Sequence, residues 1–377
     1  MHFSFATVAT AALALTSHTS AINILVGNDD GFGSAQMIET VRLLRESGHN
    51  VVAVAPVDNQ SGMGGRSVFS DLPELATASE YDIVPAGSPA LAACAFVGLD
   101  YVLPNFANFT TPDLVVAGPN YGDNLGAFLY TLSGTAGYTY SSVGRGIPAI
   151  AFSGGNGEQR SYAWINETTE SGYPDPATIQ AQLAVDLVNT LVNNTTPGQP
   201  LLPQGYGLSV NTPYITSFTN DSCVSPPFIQ TRLTGGALTD IAAYNETSQT
   251  FHYEPIVPEG GINACINGDC SLPGETEVVE DSCYGSVSVF TVDYSAPLGD
   301  ATTDIRQRLT PLVSFQEGGN DTDTSATSSS SAAPGSTSAA GGYGWGGKGS
   351  KHFGNGWGKG PQHGPPSRHH WNPRYAA

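Results

Sequence analysis

Four short segments of this sequence gather the residue types that hold hard cations and phosphate. They are Asn28-Asp29-Asp30-Gly31, Pro56-Val57-Asp58-Asn59-Gln60-Ser61-Gly62, Gly118-Pro119-Asn120-Tyr121-Gly122-Asp123-Asn124 and Ser133-Gly134-Thr135. Two carboxylates, a hydroxyl and a side-chain amide form an all-oxygen set, suited to Mg²⁺, Mn²⁺ or Ca²⁺ and unsuited to a zinc held by nitrogen or sulfur. Ser133, Gly134 and Thr135 open a stretch of small residues. Hydroxyls and free N–H groups at a helix N-terminus cradle a phosphate. Each segment alone is also ordinary turn or cap chemistry, since Asn, Asp, Ser and Gly follow many strands. Chemistry becomes the better reading only when they converge on one edge.

Convergence requires a particular scaffold. Short β-branched runs at residues 22–26, 51–55, 114–117 and 147–152 alternate with amphipathic stretches, the pattern of a parallel sheet flanked by helices. Ser34 is placed to cap a helix with Met37, Ile38, Val41 and Leu44 on one face and Gly48 at its end. Pro176 opens a second, with Ile179, Leu183, Leu187, Val188 and Leu191 inward. In such a sheet ligands bind outside the carboxyl ends of the strands, where the first three segments fall. Beyond Pro197 the strands, among them 206–211, 250–253 and 286–294, lose their intervening helices and read as an antiparallel extension or arm. The expected fold class is therefore α/β: a doubly wound, Rossmann-like parallel sheet with an antiparallel β extension and a disordered C-terminal tail.

Charge and composition narrow the function. The 377 residues carry 33 acidic and 13 basic side chains, a net −20. Residues 326–377 hold five basic and no acidic side chains, which leaves 8 basic against 33 acidic, or −25, for residues 1–325. That body repels nucleic-acid polymers, so a phosphate-bearing substrate should be small. No apolar run reaches the roughly 18 residues that a bilayer crossing needs.

Residues 1–21, with an apolar stretch and Thr19-Ser20-Ala21 at the end, read as a secretory signal peptide. Acceptor triplets for N-glycosylation begin at Asn108, Asn166, Asn193, Asn194, Asn220, Asn245 and Asn320, and agree with a secreted, extracellular form. Four of the five cysteines, Cys223, Cys265, Cys270 and Cys283, cluster in the last third of the body and suggest two disulfides. Cys94 reads as a buried free thiol and His49 as structural. The domain plan is a signal peptide at 1–21, an α/β domain at 22–317 with a disulfide-bearing β extension at 212–283, and a Ser/Gly-rich linker and basic aromatic tail at 318–377.

Other chemistries fail on their motifs. Ala151-Phe152-Ser153-Gly154-Gly155 lacks the first glycine of a nucleophile elbow, and Gly31-x-Gly33 runs into Gln36, which breaks the dinucleotide fingerprint.

The segments together resemble the SurE family, the survival-protein family of metal-dependent nucleotidases and acid phosphatases. The resemblance rests on Ile24 to Gly31, Ala55-Pro56 through Ser61-Gly62, Val115 to Asn120 with Gly122 and Asn124, Ser133-Gly134-Thr135 and Gly285 to Val289. It implies a divalent metal, Mg²⁺ or Mn²⁺, on Asp29, Asp30, Ser61 and Asn120, with Asp29 and Asp30 as the catalytic pair. It also implies phosphate contacts from Asn28, Asn124, Ser133, Gly134 and Thr135. The implied reaction is hydrolysis of phosphomonoesters, typically nucleoside monophosphates, by an attacking water or by an aspartate nucleophile. Dimers or larger assemblies with exchanged arms are implied too. The family's Gly-Thr-Pro-acidic loop is here Gly87-Ser88-Pro89-Ala90, without the carboxylate. The rival readings are a non-catalytic phosphate- or nucleotide-binding module, and a surface interaction protein whose tail tethers it to cell wall or polyanion.

Overall fold

The computed structural model describes residues 20–67, 83–85, 91–155, 160–233, 241–254, 270–280 and 282–314. The expected leader and tail, and the Gly87–Ala90 loop, lie outside them. Strand β1 (Asn23–Gly27) is apolar and buried from Ile24 onward because both faces are covered, as a central parallel strand requires. Helix α1 (Ala35–Glu46) begins after Ser34 at the N-cap and ends before Gly48, whose φ of 91° suits the turn into β2 (Asn50–Ala55). The short β3 (Ile83–Pro85) follows, then α2 (Leu91–Val97), a π-helical turn at Gly98–Val102 and α3 (Leu103–Phe106). Next come β4 (Leu114–Tyr121), α4 (Gly126–Leu132), α5 (Gly134–Gly144), β5 (Ala149–Gly154), α6 (Pro176–Asn194) and β6 (Tyr206–Thr212). The chain continues through β7 (Phe228–Thr231), β8 (Ile241–Asn245), β9 (Thr250–Glu254), α7 (Glu275–Val279), β10 (Gly285–Thr291) and α8 (Asp300–Leu309).

One eight-stranded sheet runs in the order β3-β2-β1-β4-β5-β6-β10-β7. The strands from β3 to β6 are parallel, β10 runs antiparallel to β6, and β7 lies parallel to β10. The chain winds from β1 outward through β2 and β3, then returns to place β4 on the other side of β1. The strand order therefore reverses between β1 and β4, and a crevice opens there at the carboxyl ends.

Alternation along the buried strands feeds two cores. Ile24 and Val26 face a layer with Met37, Val41 and Leu44 of α1 and Val185 and Val188 of α6. Leu25 faces the other, with Cys94, Val97, Tyr138 and Val143.

Three sequence expectations are refined. Strand β6 is not part of an arm: it joins β5 in parallel through α6, an ordinary crossover, and the antiparallel portion starts only with β10 in the same sheet. On α6 the buried face is Ile179, Ala181, Ala184, Val185, Val188 and Val192, whereas Leu183, Leu187 and Leu191 are only partly covered. The two alanines let α6 seat closely against α1 and the sheet, which turns the leucines toward the edge of the layer. The hairpin β8–β9 forms a separate two-stranded sheet with Tyr244 against Phe251 and much apolar surface exposed.

The Cys223–Cys283 disulfide ties the loop after β6 to the segment before β10. Cys270 is disulfide-bonded as well, in agreement with two bridges. The Cys94 thiol is free and buried, and burial pushes it up to about 12, so it is an inert core group. His49 is buried between the Ile22 N–H and Asn189 Oδ1, a structural role. Two compact units divide at Ser295 and Ala296. In the second, α8 is an exposed helix with Asp300 in its first turn and an Asp304–Arg308 ion pair, an element the sequence reading did not anticipate.

Candidate active site

The crevice between β1 and β4 collects the four segments. β1 ends at Gly27, so Asn28, Asp29 and Asp30 leave the sheet at its carboxyl edge, and Asn28 and Asp29 are fully buried. The Asp29 carboxylate points at the start of α5: its Oδ1 accepts from the Thr135 hydroxyl at 2.6 Å, and the N–H groups of Gly134 and Thr135 also stabilise its charge. That approach explains Gly134, because a Cβ there would lie 2.8 Å from Asp29 Oδ2. The helix terminus expected to cradle phosphate is thus shared with an aspartate. Ser133 is the helix cap, its Oγ accepting from the Ala136 N–H at 3.0 Å.

Asp30, partly buried, is anchored differently. Its Oδ2 accepts from the Tyr121 N–H at 2.8 Å, and Asn59 Nδ2 approaches its Oδ1 at 3.4 Å. The loop carrying Ser61 is stitched to the same edge by the Gln60 N–H, which donates to the Asp29 carbonyl at 2.8 Å, and by Asn59 Oδ1, which accepts from the Ser61 N–H at 2.8 Å. Ser61 itself is half-buried on that loop and reaches the edge through these backbone bonds.

Asn120 sits on β4 where the register against β5 shifts between Ala117 and Asn120, around a cis Gly118–Pro119 bond. Gly118 has φ 99° and a Cβ there would meet the Phe152 carbonyl at 2.2 Å, so only glycine fits the bend. Asn120 Nδ2 donates to the Gly122 carbonyl at 2.9 Å, which leaves its Oδ1 turned away from that bond. Asn124 donates from its backbone to Asn211 Oδ1 and from Nδ2 to Ser153 Oγ, both at 2.7 Å.

Two of those partners were missed by the sequence reading. Ser153 is the last residue but one of β5 and Asn211 of β6, so the rule that reads residues at strand ends reaches both. Glu275 was also missed: it is fully buried on α7, accepts from the Gly126 N–H at 2.9 Å, and accepts from the Ser288 hydroxyl at 3.1 Å. It is 149 positions from Gly126, and no local pattern marks it.

The electrostatics favour a cation. Burial raises the Asp29 carboxyl above its ordinary value, and burial followed by the Asp29 charge holds Asp30 well above it. Asp29 Oδ2, Asn120 Oδ1 and Asn124 Oδ1 are buried without a hydrogen-bond partner, as are both polar atoms of the Asn28 side chain. Unpartnered buried oxygens beside two crowded carboxylates fit a hard divalent ion, and the unpartnered Asn28 Nδ2 fits a phosphoryl oxygen. The unpartnered oxygens at this edge belong to carboxylate and amide groups, and among the described residues no group of three or more His, Cys, Asp or Glu gathers.

The family model described as Survival protein SurE matches residues 24–234. An acid phosphatase of Yarrowia lipolytica is 40% identical over 330 residues, covering 81% of this chain and 90% of that protein. A 5'-nucleotidase SurE of Methanopyrus kandleri is 39% identical over 136 residues, 35% of this chain and 48% of its own length. The chain thus spans about half the length of that archaeal relative. The crystal structure of the Sure protein from Aquifex aeolicus shares the fold, with a TM-score of 0.51 and 23% identity over 77% of this chain and 99% of that one. With the family model covering more than half of the sequence and the yeast relative aligned over most of its length, this chain belongs to the SurE family.

Proposed function

We propose that this protein is a metal-dependent phosphomonoesterase that hydrolyses nucleoside monophosphates or other small phosphate esters. The observation that carries the reading is the Asp29–Asp30 pair, packed at the strand-order reversal among amide oxygens that have no protein partner. The names of the relatives, acid phosphatase and 5'-nucleotidase, support the same chemistry. Asp29, Asp30, Ser61 and Asn120 would hold Mg²⁺ or Mn²⁺, which when bound polarises phosphoryl oxygens and acidifies water. Thr135 and the start of α5 fix the orientation of the Asp29 carboxylate, and the Tyr121 N–H fixes that of Asp30. Asn28 would donate from its unpartnered Nδ2 to a phosphoryl oxygen, and Ser153 and Asn211 hold Asn124 in place at the same edge.

The Cys223–Cys283 bridge, the Thr19-Ser20-Ala21 sequence and the acceptor triplets support a secreted form. The exposed Ile241, Tyr244 and Phe251 of the β8–β9 hairpin support its use as an arm exchanged between copies of the chain.

The test is phosphate release from p-nitrophenyl phosphate and from 5'- and 3'-nucleotides, using chelator-treated protein with and without added Mg²⁺ or Mn²⁺. Turnover that appears only with metal is expected. Full turnover in chelator rejects the metal, and no turnover on any substrate rejects the enzyme.

A further inference from the structure

A cavity of about 450 Å³ opens beside the phosphate machinery, within the ~300–1,000 Å³ of small-molecule sites. Asp123 and Gly155 border it on the side of the active centre. Asp123 immediately precedes Asn124, and Gly155 follows the end of β5, its N–H donating to the Thr212 carbonyl at 3.0 Å. The rest of the wall includes Tyr214, whose ring is half exposed, the Cys223–Cys283 disulfide and Glu280. Glu280 and Cys283 lie beyond the residues 24–234 that the family model matches.

The chemistry of the lining is one-sided. Among its described residues there are two carboxylates, several hydroxyls and no Lys, Arg or His. Carboxylates and hydroxyls accept hydrogen bonds from hydroxyl and ammonium groups, and among the described lining residues none is a cation that would pair a second anionic group.

We propose that this cavity receives the alcohol part of the phosphomonoester, and that Asp123 and Glu280 admit a neutral or cationic alcohol while rejecting one that bears a second phosphate. The proposal rests on the phosphomonoesterase reading above. In the reaction the ester O–P bond breaks as a water oxygen bonds to phosphorus. The departing oxygen takes up a proton supplied by that water, so the product in the cavity is an uncharged alcohol function. Each unit of negative charge on a second phosphate held near either carboxylate is disfavoured by roughly fivefold at about 4 Å in water-like surroundings, and by more where water is excluded.

The experiment compares kcat/KM for fructose 6-phosphate, phosphoethanolamine and fructose 1,6-bisphosphate in the metal-loaded wild type, Asp123→Asn and Glu280→Gln. The wild type should prefer both monophosphates over the bisphosphate by at least tenfold. Each substitution should narrow that ratio by roughly fivefold, through a lower KM for the bisphosphate. Glu280 is exposed, so its amide variant keeps the fold if the Asp123 variant does not. An unchanged ratio in the folded variants overturns the proposal. If no compound is turned over, the phosphomonoesterase reading falls and binding decides the cavity separately. On Asp29→Asn protein, tighter binding of the monophosphates than of the bisphosphate supports the selection, and equal affinities overturn it.

Discussion

Glu275 offers a quantitative check on the polar interior. Its carboxyl is fully buried; burial raises it to about 7 from 4.5, against the Gly126 N–H and the Ser288 hydroxyl that favour the charge and with the Asp123 charge adding to the rise. A carboxyl raised on folding keeps its proton in the native state at pH values where the unfolded chain has released it. Stability from this group is therefore fully present below about pH 4.5 and is lost as pH climbs through about 7. At 1.36 kcal/mol per unit the loss amounts to about 3 kcal/mol. Glu275→Gln keeps the shape, an oxygen to accept from Gly126 and an amide to donate to Ser288, but it cannot ionise. The variant should match wild type at pH 4.5 and exceed it by about 3 kcal/mol at pH 8. Urea unfolding with disulfides intact and a chelator present measures this, because Asp29 and Asp30 titrate in both proteins and cancel in the difference. A difference independent of pH refutes the reasoning. Glu275→Ala should instead lose stability at both values, since it strands the Gly126 N–H and the Ser288–Thr231 hydroxyl pair.

Three further outcomes follow from the site. Asp29→Asn should lower kcat on p-nitrophenyl phosphate by roughly 10²–10³-fold, the several kcal/mol that a positioned cation contributes, with an unchanged circular dichroism spectrum. Gly134→Ala should also lose most activity and weaken metal binding in calorimetry, because its Cβ would press on Asp29 Oδ2 at 2.8 Å. Asn59 lies in an acceptor triplet, yet its amide bridges Asp30 and Ser61, so glycopeptide mass spectrometry of active protein should find it unmodified. Full occupancy at Asn59 with normal turnover would contradict that placement.

Much of the site was legible because it obeys a local rule. Strands apolar on both faces must be central in a parallel sheet, and the residues directly after them must emerge at one edge. The loops that carry Asn28-Asp29-Asp30, Ser61, Asn120 and Asn124 could therefore be found from periodicity and turn chemistry, and the family resemblance singled out those residues within them. The small residues at Ser133, Gly134 and Thr135 likewise marked a helix start, whatever it binds. What tertiary structure alone decided is which groups face each other. The start of α5 holds Asp29 before it holds any phosphate, because the fold presses Gly134 against that carboxylate. Glu275 supports the Asn124 loop from far along the chain, and Tyr214, Glu280 and the disulfide meet Asp123 around one cavity. No window of sequence carries such contacts. Burial, hydrogen bonding and charge repulsion between distant segments are set by how the layers pack, and the leucines of α6 yielded to its alanines for the same reason.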